Sequence, residues 1–161
     1  MYSIRTATLA DLDLVTKIEA VCFPPEQAAT EDSFRARLAV FPNHFLLLEQ
    51  DGCVVGFVNG AVIDTRYIED VMYEDAGFHD KNGAYQSVYG LNVLPDHRGR
   101  GLAHKLMDAL IERAREEGRK GVTLTCLREK IGFYETMGFH SEGVSDSSHG
   151  STVWYNMLLD F

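Results

Sequence analysis

The chain has 161 residues, enough for one domain with a single substantial core. With 45% hydrophobic and 24% charged residues it has a globular balance, and no apolar run approaches the ~18 residues that cross a bilayer. The formal net charge of −9 argues against a nucleic-acid binder and suits a cationic partner such as an amine.

The N-terminal stretch MYSIRTATLADLD lacks a signal-peptide pattern. Tyr2–Ala7 alternates and reads as a strand. Thr8, with Asp11 three residues on, opens a helix through Leu12, Val15, Ile18 and Val21, which Phe23-Pro24-Pro25 stops. A second helix starts after Thr30, with Phe34, Leu38 and Phe41 at helical spacing. Phe45–Glu49, Asp51-Gly52 and Cys53–Ile63 form a hairpin pattern, with a bend signalled at Asn59-Gly60. From Asp64 to Gly83 the periodicity fails. Asp64, Glu69, Asp70, Glu74, Asp75 and Asp80 stand against Arg66 and Lys81, which reads as a solvated loop or a lid over a site.

Ala84–Val93 is a strand ended by Leu94-Pro95, and a long helix runs from about Gly101 to Glu117. Its apolar stripe is Leu102, Ala103, Leu106, Met107, Leu110, Ile111 and Ala114, and Gly118 stops it. Gly121–Cys126 is β-rich, Glu129–Met137 a short helix closed by Gly138, and two strands end the chain at Thr152–Leu159. The order β-α-α-β-β-β-α-β-α-β-β predicts one α/β layered domain over residues 1–161 around a mixed sheet. The strand–helix–strand unit from Ala84 to Cys126 should be a right-handed crossover with parallel strands.

Cys22, Cys53 and Cys126 are widely spaced and odd in number, which fits reduced thiols in a cytoplasmic protein rather than a disulfide frame. His44, His97, His104, His140 and His149 show no metal-ligand spacing, so no bound metal is expected.

Arg98-Gly99-Arg100-Gly101-Leu102-Ala103 lies between an apolar strand and a helix. The first N–H groups of a helix lack partners and its dipole favours an anion there. Gly99 and Gly101 give close access, Ala103 keeps the first turn slim, and Arg98 and Arg100 add positive charge. The third glycine of a dinucleotide fingerprint is absent, as is the Gly-Lys-Ser/Thr of a P-loop. Taken alone, the two glycines fit ordinary turn chemistry as readily as an anion site.

Leu91-Asn92-Val93-x-Pro95-x-x-Arg98-Gly99-Arg100-Gly101-Leu102-Ala103 resembles the signature of the GNAT superfamily of N-acetyltransferases, whose core is [Q/R]-x-x-G-x-[G/A]. Gly132-Phe133-Tyr134-Glu135-Thr136-Met137-Gly138-Phe139 is similar to a second signature of that superfamily. Phe23-Pro24-Pro25-Glu26 and Leu124-Thr125-Cys126 resemble its arylalkylamine N-acetyltransferase branch.

The resemblance implies the acyl-CoA N-acyltransferase fold, a mixed and mostly antiparallel central sheet with helices on both faces. It implies acetyl-CoA as co-substrate and a small-molecule amine, arylalkylamine- or polyamine-like, as acceptor. Backbone groups of Leu91, Asn92 and Val93 would meet the pantetheine arm, beside a bulge near Gly90. Gly99, Arg100, Gly101, Leu102, Ala103 and His104, with Arg98, would surround the pyrophosphate. Tyr134 would be the general acid at the thioester sulfur. Transfer from a tyrosine of pKa about 10 to a thiol of about 8.5 is uphill by roughly 2 kcal/mol, so hydrogen bonding to the developing charge matters as well.

The base does not carry over. Ser87 and Tyr89 stand where the animal arylalkylamine enzymes place two histidines, and could at most order a water chain. His79, a carboxylate among Asp64 to Asp80, or Glu26 remain as bases. Phe23 and Pro24, with Glu26, would line the amine site, and Pro25 and Phe41 could share that wall. A protein or peptide acetyltransferase and a non-catalytic acetyl-CoA-binding module are the rival readings, with either a monomer or a homodimer open.

Overall fold

The computed structural model describes residues 1–147 and 152–161; His149 lies outside the described residues. Strand β1 (Tyr2–Thr6) leads through a 3-10 turn into α1 (Leu12–Cys22). The Thr8 N–H donates to Asp11 Oδ2 at 2.8 Å, capping that turn as the sequence predicted. Phe23 caps the other end in an extended conformation (φ −132°, ψ 147°), which the following proline imposes. Val21 is 60% exposed, so the buried face of α1 runs through Val15, Ile18 and Glu19 instead. Helix α2 (Glu31–Val40) starts where Thr30 accepts from the Ser33 N–H at 3.1 Å.

Strands β2 (Phe45–Gln50) and β3 (Cys53–Asn59) form the expected hairpin, and β4 (Val62–Ile63) follows the bend at Gly60. A Cβ on Gly60 would sit 2.0 Å from the Ser87 carbonyl oxygen, so only glycine fits this close backbone approach. The single strand expected over Ala84–Val93 is two strands, β5 (Tyr85–Val88) and β6 (Gly90–Val93), parted at Tyr89. One sheet runs β1-β2-β3-β6; the other runs β4-β5, then β7 (Gly121–Cys126), β9 (Tyr155–Asp160) and β8 (His140–Val144). Among the described residues every pairing is antiparallel except β5 with β7, which α4 (Leu102–Glu116) connects in the predicted parallel arrangement. Of the two strands expected within Thr152–Leu159, one lies earlier: β8 (His140–Val144) pairs with β9 (Tyr155–Asp160).

Alternation along β2 and β3 shows how the layers are held. Leu46, Leu48, Val55 and Val58 pack with Leu106, Met107 and Leu110 of α4 on one face. Phe45, Leu47, Val54 and Phe57 pack with Val15 and Ile18 of α1 and Phe34 and Leu38 of α2 on the other. The segment 64–83 is not a plain solvated loop. It folds as α3 (Asp70–Glu74) and a 3-10 turn, burying Ile68, Met72 and Ala76 against Phe41, Ala61 and Ile63. Its acids lie between these apolar anchors, which hid them from a periodicity reading.

Candidate active site

Parting at Tyr89 creates the site. β5 stays beside β7 up to the Val88–Leu124 pair, while β6 pairs only with β3. Beyond Val88, β6 and the end of β7 diverge, and Gly90–Val93 and Leu124–Cys126 line the two sides of a cavity of about 810 Å³. The free edge of β6 offers main-chain donors and acceptors to an extended ligand, as an added strand would use them.

The cavity continues over the N-terminus of α4. Gly99 (φ 79°) and Gly101 (φ 75°) are in the left-handed region, and a Cβ on either would meet nothing within 4 Å. Gly101 caps α4, so the first N–H groups of a 15-residue helix face an open, side-chain-free approach. Leu102, Ala103 and His104 line the same wall. His104 is braced by Thr136 Oγ1 at 3.0 Å and stands edge-on to Phe133. The two arginines of the loop divide. Arg98 lines the cavity and donates through Nε to Val93 O at 2.9 Å, which pins the loop to the end of β6. Arg100 turns away to Tyr2 Oη at 3.2 Å and is not part of the lining, contrary to the expectation that both clasp an anion. The groove along β6 and the anion-ready helix start together fit an acyl-CoA, the first by strand addition and the second by phosphate.

Tyr134 of α5 (Ile131–Glu135) reaches the wall beside Cys126 and Leu127. Phe133 and Phe139 pack edge-on against its ring, with centroids 5.2 and 6.0 Å away. Burial, then the neighbouring Cys126 and Tyr73, push its hydroxyl well above the ordinary tyrosine range. Burial likewise raises Cys126 to about 11 and raises Cys22, so both cavity cysteines stay thiols near neutral pH.

At the other end the sequence-predicted residues separate. Phe23 lines the cavity, whereas Pro24 and Glu26 are exposed and do not. Phe41 is buried under α3 against Tyr89 and His79. His79 accepts the Val62 N–H through Nδ1 at 3.0 Å, stacks between Phe41 and His44, and stays outside the lining. Burial holds its pKa below the ordinary histidine value, so it remains a neutral structural acceptor. Ser87 is fully buried and donates to Ala61 O at 2.6 Å, closing the strand bend rather than facing the cavity. Tyr89 does line it, and burial pushes its hydroxyl up to about 12.

Two buried charged residues in the lining escaped the sequence reading. Glu19 of α1 accepts from Asn92 Nδ2 and from the Ala29 N–H, each at 2.8 Å. Its burial raises the carboxyl above the usual range, against the lowering effect of those two donors. Arg37 of α2 donates to Asn59 Oδ1 at 3.0 Å and to Tyr73 O at 2.8 Å. The missed signal was a charge inside an apolar stripe: Val15, Ile18, Glu19, Cys22 and Phe34, Arg37, Leu38, Phe41 both run i, i+3, i+4, i+7. Among the described residues no group of three or more His, Cys, Asp or Glu is placed to hold a metal ion, and no helix is long and apolar enough to cross a membrane.

Comparison with known proteins agrees with this geometry. Residues 12–139 match the model of the acetyltransferase (GNAT) family. Glucosamine 6-phosphate N-acetyltransferase 1 of Oryza sativa subsp. japonica is 27% identical over 154 residues, 89% of this chain and 84% of that protein. The loading GNATL domain of CurA from Lyngbya majuscula superposes with a TM-score of 0.86 at 15% identity, over 99% of this chain and 98% of that one. The paia N-acetyltransferase of Thermoplasma acidophilum, solved with coenzyme A, gives 0.76 at 13% identity over 100% and 99%. A groove shaped for an acyl-CoA and a family match spanning α1 to the end of α5 agree: the chain belongs to the GNAT acetyltransferase family and is an acetyl-CoA-dependent N-acetyltransferase.

Proposed function

We propose that the protein transfers the acetyl group of acetyl-CoA directly to the primary amine of a small molecule. The observation that carries this reading is one continuous cavity. It joins the α4 N-terminus, the free edge of β6, the Tyr134 ring and an amine-sized end walled by Phe23, Glu19 and Tyr73. Acetyl-CoA supplies an electrophilic thioester carbonyl and a thiolate leaving group. The chain supplies the rest.

Leu91, Asn92 and Val93 present main-chain groups along the β6 edge, and Gly99 to His104 present the helix start to the pyrophosphate. Arg98 acts by pinning the loop. Tyr134, held protonated by burial, donates a hydrogen bond that stabilises the departing thiolate; because burial raises its pKa further above that of the thiol, this hydrogen bond contributes more than complete proton transfer. The high pKa of Cys126 and Cys22 leaves no ready thiolate in the lining, which supports direct attack over an acyl-enzyme.

The amine must arrive neutral. With His79 and Ser87 outside the cavity, Glu19 takes the place of the expected base. It is a buried carboxylate in the lining whose raised pKa moves it toward the working range of a proton acceptor. Tyr89, protonated at neutral pH, is a hydrogen-bonding neighbour and no base. A small molecule is favoured over a peptide because Tyr73 and Glu74 of the 64–83 segment form part of the lining, and Tyr73 Oη bonds Thr125 Oγ1 at 2.9 Å across from β7. The curated relative named for glucosamine 6-phosphate is consistent with an acceptor of that size. The aromatic ring of Phe23 keeps an arylalkylamine among the acceptors to try.

The test is thiol release from acetyl-CoA over a panel of amines and peptides. Release with small amines is the expected outcome. Release with peptides alone, or tight CoA binding without turnover, overturns the reading in favour of its rivals.

A further inference from the structure

Arg37 is only 3% exposed, yet among the described residues no carboxylate lies within 4.0 Å of its guanidinium. A guanidinium carries five N–H donors. One Nη1 donor goes to the Asn59 side chain and one Nη2 donor to the Tyr73 carbonyl, while Nε is buried without a partner. The remaining neighbours are the faces of Phe34 and Tyr89, 5.3 and 5.0 Å from the guanidinium carbon. At contact distance among the described residues, the positive charge is therefore held by neutral dipoles and rings, in the lining of the acceptor end.

Glu19 mirrors it. Both of its oxygens accept from neutral donors, and no cation lies within 4.0 Å among the described residues. The two charges sense each other only at longer range. An isolated buried charge is expensive, and fold stability alone would favour an apolar residue or a contact ion pair. Held apart, the pair suits a ligand that brings both counter-charges. A planar fork with unused donors matches a carboxylate or phosphate, and a carboxylate with unused lone pairs matches an ammonium group.

We propose that the acceptor is an amine that also bears an oxyanion, a carboxylate or a phosphate, seated on Arg37 while its amine faces Glu19. This rests on the small-molecule reading above and narrows it to a class that a simple arylalkylamine or polyamine does not satisfy.

The experiment measures binding to the CoA-loaded protein by calorimetry, independently of turnover, with three matched pairs. They are phenylalanine against phenethylamine, β-alanine against its amide, and phosphoethanolamine against ethanolamine. In at least one pair the anionic member should bind tighter by roughly tenfold or more, the scale of one buried charge-assisted contact. Arg37→Lys, which keeps the charge and loses the fork, should shrink that ratio severalfold without abolishing it. Equal affinities within all three pairs, or no binding by any, overturn the proposal even if the variant does not fold. A preference of about tenfold for malonyl-CoA over acetyl-CoA with equal amine pairs also overturns it, by placing the oxyanion on the acyl donor. Anion-selective binding without acetyl transfer to any member would overturn the acceptor assignment together with the small-molecule reading, and would leave only an oxyanion subsite at Arg37.

Discussion

Asn92 donates through Nδ2 to Glu19 Oε1 at 2.8 Å, joining the middle of β6 to the buried face of α1. The second oxygen of Glu19 takes the Ala29 N–H, so one carboxylate fixes the α1–α2 connection against the strand that faces the acyl donor. Donor groove and acceptor wall are thereby held at a set distance. In the mechanism proposed above, the same carboxylate receives the proton of the amine.

Replacing Glu19 by Gln should separate these roles. Its folded pKa is raised above the unfolded value of about 4.3, so the associated stability is full below that pH and is lost as pH rises through the folded pKa. Wild-type stability relative to Glu19→Gln should therefore decline from about pH 4 toward neutrality in denaturant titrations. In kinetics, the rise of kcat/KM with pH that follows ionisation of Glu19 should vanish in the variant. An unchanged acid limb would remove Glu19 from proton transfer and leave it a tether.

Tyr134→Phe should lower kcat by well over tenfold, as expected for losing a general acid or a hydrogen bond to developing charge. Acetyl-CoA affinity by calorimetry should stay nearly unchanged, because the pyrophosphate loop and β6 edge are untouched. Normal turnover in this variant would rule out the role.

Gly101→Ala and Gly118→Ala make a controlled comparison. Both positions have positive φ (75° and 77°) and open space where a Cβ would go, so each should cost about 1–2 kcal/mol of stability. Only Gly101 lies on the cavity. Its alanine variant should weaken CoA binding by roughly tenfold or more by blocking close approach to the helix N–H groups, and Gly118→Ala should not. Equal CoA affinities in the two variants would count against the loop as the phosphate site.

Asp11→Ala tests the hinge between β1 and α1. Asp11 accepts from both terminal nitrogens of Arg5 at 2.9 and 2.8 Å and from the Thr8 N–H at 2.8 Å. The substitution should cost about 1–3 kcal/mol through the lost charge-assisted bonds and cap. The Arg5 hydrogen bond, partly opposed by burial, holds the carboxyl below its usual range. That stability is present above the unfolded value of about 3.9 and lost as pH falls through the folded pKa. The difference between wild type and variant in urea midpoints should thus shrink below about pH 4.

Local chemistry was legible wherever it is set by neighbours in the chain. The Thr8–Asp11 cap, the stop at Phe23-Pro24, the α4 stripe ending at Gly118 and the glycines of residues 98–103 depend on dihedral preferences and periodicity alone. Those same patterns carried the family and the acyl donor. The split of Ala84–Val93 at Tyr89 was not legible, because both halves share one alternation and part only when β5 finds β7 and β6 finds β3. Nor could the sequence show that His79 and Ser87 spend their hydrogen bonds on the backbone, or that Arg100 turns to Tyr2. Charge within an apolar stripe is a signal the sequence carried for Glu19 and Arg37, and the periodicity reading passed over it. Only tertiary packing determined that α1 and α2 bring both into one cavity without letting them pair, since contact between two side chains 18 residues apart in sequence depends on how each helix docks on the sheet.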